Sequence, residues 1–439
     1  MSSTSHLFAS AAEHRAWLES QSGLPAGFRV GTASLAFTPR EAPRPARMNL
    51  AILSLDRPTP SFALMLTRNA FPGAPVVLGR RRLSAPLLGA VVVNNKVSNV
   101  CAPGGLEAAE RICAETARAL GMAPDEVLPA STGVIGWQLP VQEMTEALPR
   151  ATAALQGRSV LPAAQAIMTT DLYPKVRRAE LSGGSIVGIA KGAGMIEPNL
   201  ATMLVFLLTD FQVAREELRA ALDEAVAASF NAITVDSDTS TSDMVALLSS
   251  SARPSPPRDR FREALTQVCR DLAEDIVRNG EGVHHVIRIQ VTGAPDRDTA
   301  RGVGKAIANS PLFQCAVNGN DPNVGRLLCA VGKHVGALGL PLDATRFRFR
   351  MGGEVLLEDG VMRLDPAREE RLARHLRSAE LYASRPPEDG LTFKPPIAHP
   401  PHERAVELAI DLGAGTTVTE VLGADRSHEY ITENADYRS

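Results

Sequence analysis

Few residue patterns in this chain are spaced for chemistry, and most fail on inspection. KGAG at residues 191–194 is a Gly-rich turn, yet it has neither the GxxxxGK[ST] nor the GxGxxG spacing that lets backbone N–H groups cradle a phosphate. The run DSDTSTSD (236–243) begins like a calcium loop. Its sixth position is Thr241, where the loop needs a Gly, and its twelfth is Leu247 instead of Glu. His284 and His285 are adjacent; neighbours on a strand point to opposite faces, so the two are not expected to share a metal. No GxSxG elbow is present. One segment survives: KGAGMIEPNLATMLVFLLTD, residues 191–210, a Gly-rich turn with a Pro leading into an apolar run that starts at Thr202. Taken alone, a Thr in that place is only a good β-former.

The elements around this segment follow from pattern. ATMLVFLLTD (201–210) is short, apolar and closed by Asp210, which favours a buried strand over a helix. NLAILSL (49–55) and GAVVVN (89–94) read as strands, and VIRIQVTG (286–293) alternates like a half-buried one. LEAAERICAETARALG (106–121) has helical spacing and ends on Gly. Residues 213–230 place Val213, Ala214, Leu218, Ala221, Leu222, Ala225, Val226 and Phe230 on one helical stripe, and residues 258–278 form a second such helix. Residues 1–24 read as an extension ending in a short helix, and the Pro-rich segment 381–405 as a surface loop. Strands and helices come in blocks, which argues for an α+β fold.

Composition bounds the rest. At 439 residues the chain is too long for one ordinary core, so two or three lobes are expected. Aromatics make up only 4%, leaving the core to aliphatic side chains. A net charge of −3 gives no electrostatic reason to expect a nucleic-acid partner. No apolar run is long enough to span a membrane. Five cysteines, with no CxxC pair, suggest reduced thiols in a cytoplasmic protein. The N-terminus lacks a secretory signal pattern, and Glu13 and Glu19 fit an organellar transit peptide poorly. No metal or other cofactor is indicated.

The ordered set STGVIG (131–136), AIMTTD (166–171), KGAGMIEPNLATML (191–204), FNAITVDSDTSTSD (230–243), NGEG (279–282), VGKAIANSPL (303–312), GNDPNVGR (319–326) and NADYRS (434–439) resembles the ornithine acetyltransferase family, also called bifunctional glutamate N-acetyltransferases. Each motif is short, but order and spacing agree over nearly the whole chain. The resemblance implies a layered α/β/β/α core of the N-terminal-nucleophile type with a second, smaller α/β domain. It implies self-cleavage between Ala201 and Thr202, giving an alpha chain (25–201) and a beta chain (202–439) that stay together and pair as α2β2. The new α-amine would then serve Thr202 as base, because a free α-amine has a pKa of about 7.7–8.0.

By the same resemblance, the Thr132 side chain and the Gly133 backbone N–H are the oxyanion donors. Thr169 or Thr170, Lys191, Thr202, Glu281, Asn434 and Ser439 are the substrate contacts. Lys191 suits an α-carboxylate and Glu281 a distal ammonium. Acetyl would pass from N2-acetylornithine to Thr202 and then to glutamate; some members also accept acetyl-CoA. The chain departs from the family at NNKVSNVCAP (94–103), where Lys96 and Val97 replace Gly and Asn. It departs again at GEGVHH (280–285), at Val324, and at GADRSHEY (423–430). These departures put the amine substrate in question and keep two alternatives open: a paralogue acting on another amine, and an amidase or aminopeptidase-like hydrolase.

Overall fold

A computed structural model describes residues 8–197, 203–340, 343–382 and 404–435. Ala201, Thr202, Ser439 and nearly all of the Pro-rich segment 381–405 lie outside the described residues. The chain divides into two units: a larger one of Ala12–Asn231 and Asp238–Ile276, and a smaller one of Met1–Ala11, Ala232–Ser237 and Val277–Ser439.

Among the described residues the larger unit holds nine strands: β1 (Phe28–Phe37), β2 (Ala46–Thr59), β3 (Phe62–Leu66), β4 (Leu88–Asn94), β5 (Val127–Ser131), β6 (Lys175–Leu181), β7 (Gly184–Lys191), β8 (Leu204–Phe211) and β9 (Met244–Arg253). They form two sheets, ordered β1-β2-β4-β5 and β3-β9-β8-β7-β6. All eight residues of β8, Thr209 and Asp210 included, are buried, because both of its faces are covered. Leu204, Phe206 and Leu208 share a core with Leu53, Val91 and Val93 of the opposite sheet. On the other face, Val268 and Leu272 of helix Arg258–Arg278 press on Gly188, and Phe261 meets Phe211 edge to face at 6.4 Å. The first sheet turns Leu50, Ile52 and Val92 outward onto Ile112, Met144 and Leu148, which belong to helices Gly105–Leu120 and Val141–Ala153. The layers therefore run helix, sheet, sheet, helix, as expected. Each fully buried Leu or Phe here contributes about 1.5–3 kcal/mol over an exposed one.

The helix of the N-terminal extension, Ala11–Gln21, is part of this unit's packing. Leu18 joins the inter-sheet core, and Trp17 lies 4.7 Å from the Arg177 guanidinium, which grips Asp275 through two 2.7 Å bonds. The expected cleavage point falls within this unit, between β7 and β8, which are antiparallel neighbours in one sheet.

The smaller unit holds β10 (Val286–Ala294), β11 (Arg348–Met351), β12 (Glu354–Glu358), β13 (Val361–Met362), β14 (Val406–Asp411) and β15 (Thr417–Ala424), ordered β13-β12-β11-β14-β10-β15. β10 alternates as its sequence predicts. Ile287, Ile289 and Val291 enter the core, while Arg288 faces Glu407 and Glu420. Helices Arg297–Ala308, Val324–Ala337 and Pro366–Ala379 cover the apolar side. Each opens on a side-chain cap, from Asp296, Asn323 and Asp365 respectively, which satisfies a backbone N–H the helix leaves unpaired.

His285, the residue just before β10, is wholly buried, 2.8 Å from Asp425 and 3.2 Å from the Leu376 carbonyl. Both ring nitrogens therefore face acceptors, which favours the doubly protonated ring. Burial opposes that charge, but the Asp425 carboxylate outweighs it and holds the His285 pKa above its ordinary value. Asp425, despite its own burial, is held below the carboxylate range by His285 and Asn318. A raised His pKa gives stability that is complete below about 6.5 and is lost as pH climbs through the raised value. His285→Ala should therefore cost about 3–5 kcal/mol near pH 6, where it strands a buried carboxylate. The gap in urea midpoint from wild type should shrink toward pH 9. A gap that is constant with pH contradicts a charged His285.

Candidate active site

In the larger unit, β4 and β5 run parallel, with Asn94 opposite Ser131, and the loops that leave them are laced together. Asn94 donates to the Ser131 hydroxyl at 2.6 Å and accepts from the Val97 N–H at 3.1 Å. The Thr132 N–H goes to the Asn94 carbonyl at 3.1 Å, and the Val134 N–H to the Lys96 carbonyl at 3.0 Å. Between these two engaged amides stands Gly133, whose N–H makes no hydrogen bond among the described residues; nor does the hydroxyl of buried Thr132. Two donors left free beside each other suit a developing oxyanion.

Gly133 has φ of 121°, and an added Cβ would stand 2.2 Å from the Lys96 carbonyl oxygen. Only Gly fits there. The departures at 96 and 97 leave this loop intact for a physical reason. Position 96 contributes its carbonyl, and Val97 is fully buried in the apolar layer beneath. Gly133→Ala should displace its own N–H, lower acyl transfer roughly 10²–10³-fold and also lower the melting temperature, because the new Cβ meets the Lys96 backbone at a strained φ. Steady-state rates at matched folding check this; wild-type turnover would contradict it.

At the neighbouring sheet, Lys191 closes β7, and its Nζ lies 3.3 Å from the Thr169 hydroxyl. Of the two Thr residues expected at this place, Thr169 is the one brought to Lys191; Thr170 beside it is half-buried. What holds them is Asp171. Its carboxylate accepts the Thr169 N–H at 3.0 Å and the Gly192 N–H at 2.8 Å, and pairs with Lys175, both side chains fully buried. Burial alone would raise its pKa, but the charges of Lys175 and Lys191 and the Gly192 amide hold it down at about 2. Sequence reading did not single out Asp171 or Lys175.

Strand register brings three chain segments to one sheet end: Leu204 of β8 lies between Lys191 of β7 and Met244 of β9. The Met203 carbonyl accepts the Met244 N–H at 3.0 Å. Next to Met244 stands Asp243, 1% exposed.

In the smaller unit, NGEG forms a turn against helix His428–Ala435. Gly282, at φ 62°, passes so close that a Cβ would stand 2.2 Å from the Tyr430 nitrogen. Ser427 ties the two segments, donating to the Gly282 carbonyl at 2.6 Å and accepting from the Tyr430 N–H at 3.0 Å. This places Asn434 Nδ2 2.9 Å from Glu281 Oε2. Burial, and then the charge of Glu281, raise Glu433 to about 7, so the helix adds a second carboxyl to this corner. Glu433 was not foreseen either. His284 and His285, in the turn that leads into β10, take different partners: the first stands 3.2 Å from Glu429, the second pairs with Asp425.

Two sheets packed between helices, with a pair of free donors at one strand end, define a layered α/β/β/α protein fitted for acyl chemistry. The ArgJ family model matches residues 38–439. The arginine biosynthesis bifunctional protein ArgJ of Nitratidesulfovibrio vulgaris is 39% identical over 428 residues, covering 95% of this chain and 100% of that protein. Its namesake in Thermus thermophilus is 37% identical, covering 94% of this chain and 98% of that protein. Among solved structures, the protein of the same name from Bacillus halodurans is 29% identical over 53% of this chain and 98% of that chain, with a TM-score of 0.44. The chain belongs to the ArgJ family.

Proposed function

We propose that the chain is an N-acetyltransferase of arginine biosynthesis that cleaves itself between Ala201 and Thr202 and works through an acetyl-Thr202 ester. The observation that carries this reading is the free donor pair, the Thr132 hydroxyl and the Gly133 N–H, framed by amides that are already spent. Cleavage proceeds by an N-to-O acyl shift of the Ala201 carbonyl onto the Thr202 hydroxyl, and water opens the ester. The freed α-amine then takes the hydroxyl proton as Thr202 attacks the acetyl carbonyl of N2-acetylornithine. Thr132 and Gly133 receive the oxyanion, and ornithine leaves with the proton. Glutamate attacks the acetyl-Thr202 ester by the reverse sequence and leaves as N-acetylglutamate.

Lys191 and Thr169 are assigned to the substrate α-carboxylate, and the opposite charge and donor set of Lys191 support this. Glu281, held by Asn434, is assigned to the ornithine ammonium, with Ser439 as a further polar contact. The carboxyl of Glu433 reinforces the preference for a cation. The cleaved chains pair as α2β2 in the cytoplasm. Among the described residues no helix is long and apolar enough to cross a membrane. The deciding experiment incubates the enzyme with N2-acetylornithine, with and without glutamate. N-acetylglutamate should accumulate only with glutamate present. Equal acetate release in both cases, with no N-acetylglutamate, identifies a hydrolase instead. Acetyl-CoA in place of acetylornithine tests the second donor.

A further inference from the structure

A ping-pong enzyme receives acetylornithine and glutamate at one site in turn, yet their side chains end in opposite charges. The γ-carboxylate oxygens of glutamate are as many bonds from Cα as the distal nitrogen of ornithine, so one corner of the protein must receive both. Glu281 alone suits only the ammonium. Its corner carries a further carboxyl. Ser427 ties the Glu281 turn to helix His428–Ala435. The face of that helix toward the turn carries Glu429, 3.2 Å from the His284 ring, and Glu433 one turn on. Glu433 is half-buried and has no hydrogen-bond or ion-pair partner among the described residues. Asn434 beside it is oriented by its own bonds. Its Nδ2 donates to Glu281 at 2.9 Å and to the Tyr430 carbonyl at 3.0 Å, which leaves Oδ1 as an acceptor. Glu281, Glu433 and Asn434 Oδ1 thus offer one acceptor for each N–H of a primary ammonium.

We propose that Glu433 is the specificity residue that lets this corner accept both charges: its carboxyl gives up a proton when the ammonium binds and holds one to donate to the γ-carboxylate of glutamate. This inference rests on the assignment of Glu281 to the ornithine side chain. Two carboxylates side by side repel, so with no cation between them one proton is retained. Burial, and then the charge of Glu281, accordingly raise Glu433 to about 7. The other titratable groups that face it are Glu429, on the same helix face, and Tyr382, which senses both carboxyls. Arg426, just before the helix, is turned to Gln314 and to the Tyr430 ring. An ammonium placed between Glu281 and Glu433 favours both in the ionised form, and the proton goes to solvent. A γ-carboxylate placed there does the reverse. Glu433 then takes its proton from solvent and donates it in a hydrogen bond to the ligand, while Glu281 keeps the Asn434 N–H. No covalent bond other than the Glu433 O–H is made or broken at this corner, and the proton balance is restored when the ligand leaves.

Titration calorimetry of the enzyme with ornithine and with glutamate, each in two buffers of different ionisation heat, counts the protons that move. Neither ligand carries an acyl group, so no chemistry adds to the heat. At pH 7 about half of the Glu433 carboxyls hold a proton, so ornithine should release about half a proton and glutamate should take up about half. Between about pH 6 and 8, ornithine affinity should rise and glutamate affinity should fall. Glu433→Gln keeps a neutral donor and acceptor but cannot titrate. It should abolish both proton exchanges, weaken ornithine about tenfold and bind glutamate at least as tightly as wild type. Protons that move in the same direction for both ligands overturn the proposal, and so do exchanges that persist in the folded variant. If the variant does not fold, the opposite signs in the wild type decide. A wild type that binds both amino acids without moving protons refutes the proposal alone. One that binds neither refutes the substrate assignment, and the proposal with it.

Discussion

Thr202→Ala should remain a single chain of 46.7 kDa, where the wild type gives two fragments meeting at residues 201 and 202, and should carry no acyl-transfer activity above background. Cleavage and turnover are lost together because one hydroxyl performs both. Without it the Ala201 carbonyl has no intramolecular acceptor, and acetylornithine has nothing to acylate. Removing a hydroxyl nucleophile that acts together with its base typically costs on the order of 10⁴–10⁶ in kcat. The donors at Thr132 and Gly133 remain, so a small residual rate over solution is compatible with the mechanism. Thr202→Ser is the matching control. It keeps the hydroxyl but loses the β-methyl group that restricts χ1, so it should cleave and turn over more slowly than wild type. Intact mass and a steady-state assay read both variants. Substantial turnover by Thr202→Ala refutes the acetyl-Thr202 intermediate, and an intact but active wild type refutes the amine base.

The layering was legible in the sequence because it depends on local pattern. The apolar-rich run at 201–210, closed by Asp210, favoured a buried strand, and the alternation at 286–293 a half-buried one; the strands Leu204–Phe211 and Val286–Ala294 follow them. The helices at 105–120 and 258–278 follow their apolar stripes to within a residue or two, while the one at 215–227 stops three residues short of Phe230, which belongs to the following 3-10 turn. The electrostatic skeleton was not legible. Asp171 and Lys175 are four residues apart and of opposite charge, a pattern that in isolation reads as a surface pair. Both are nonetheless fully buried, Asp171 bound to the Thr169 and Gly192 amides and Lys175 opening β6. Arg177 and Asp275 are 98 residues apart in sequence. Asp243 ended a segment read as a failed calcium loop, and its burial goes with its place just before β9, whose Met244 pairs in parallel register with Leu204 of β8. Lys96 misled in the opposite direction. A Gly-to-Lys change beside the oxyanion loop looks like altered chemistry, yet the position serves through its carbonyl, which any residue supplies.

Asp171 is where stability and substrate binding should separate. Asp171→Ala leaves the Lys175 ammonium fully buried with its carboxylate gone, and breaking such a pair costs about 3–5 kcal/mol. It also frees the Thr169 and Gly192 amides, so the turn carrying Thr169 and the turn following Lys191 lose their common anchor. Because Asp171 is held at about 2, its contribution is complete above the ordinary carboxylate pKa and is lost only as pH falls toward 2. The deficit in urea midpoint should therefore be level from about pH 5 to 9, unlike that of His285→Ala. Asp171→Leu combined with Lys175→Met removes both charges together, and well-packed apolar replacements of buried pairs are commonly neutral or stabilising. The double variant should regain most of the lost stability while KM for acetylornithine stays high, because neither amide has recovered its acceptor. If KM returns to the wild-type value along with stability, Asp171 does no more than neutralise Lys175. If KM stays raised in a protein of normal midpoint, the two amide bonds set the separation of Lys191 and Thr169, and the substrate carboxylate is read through them.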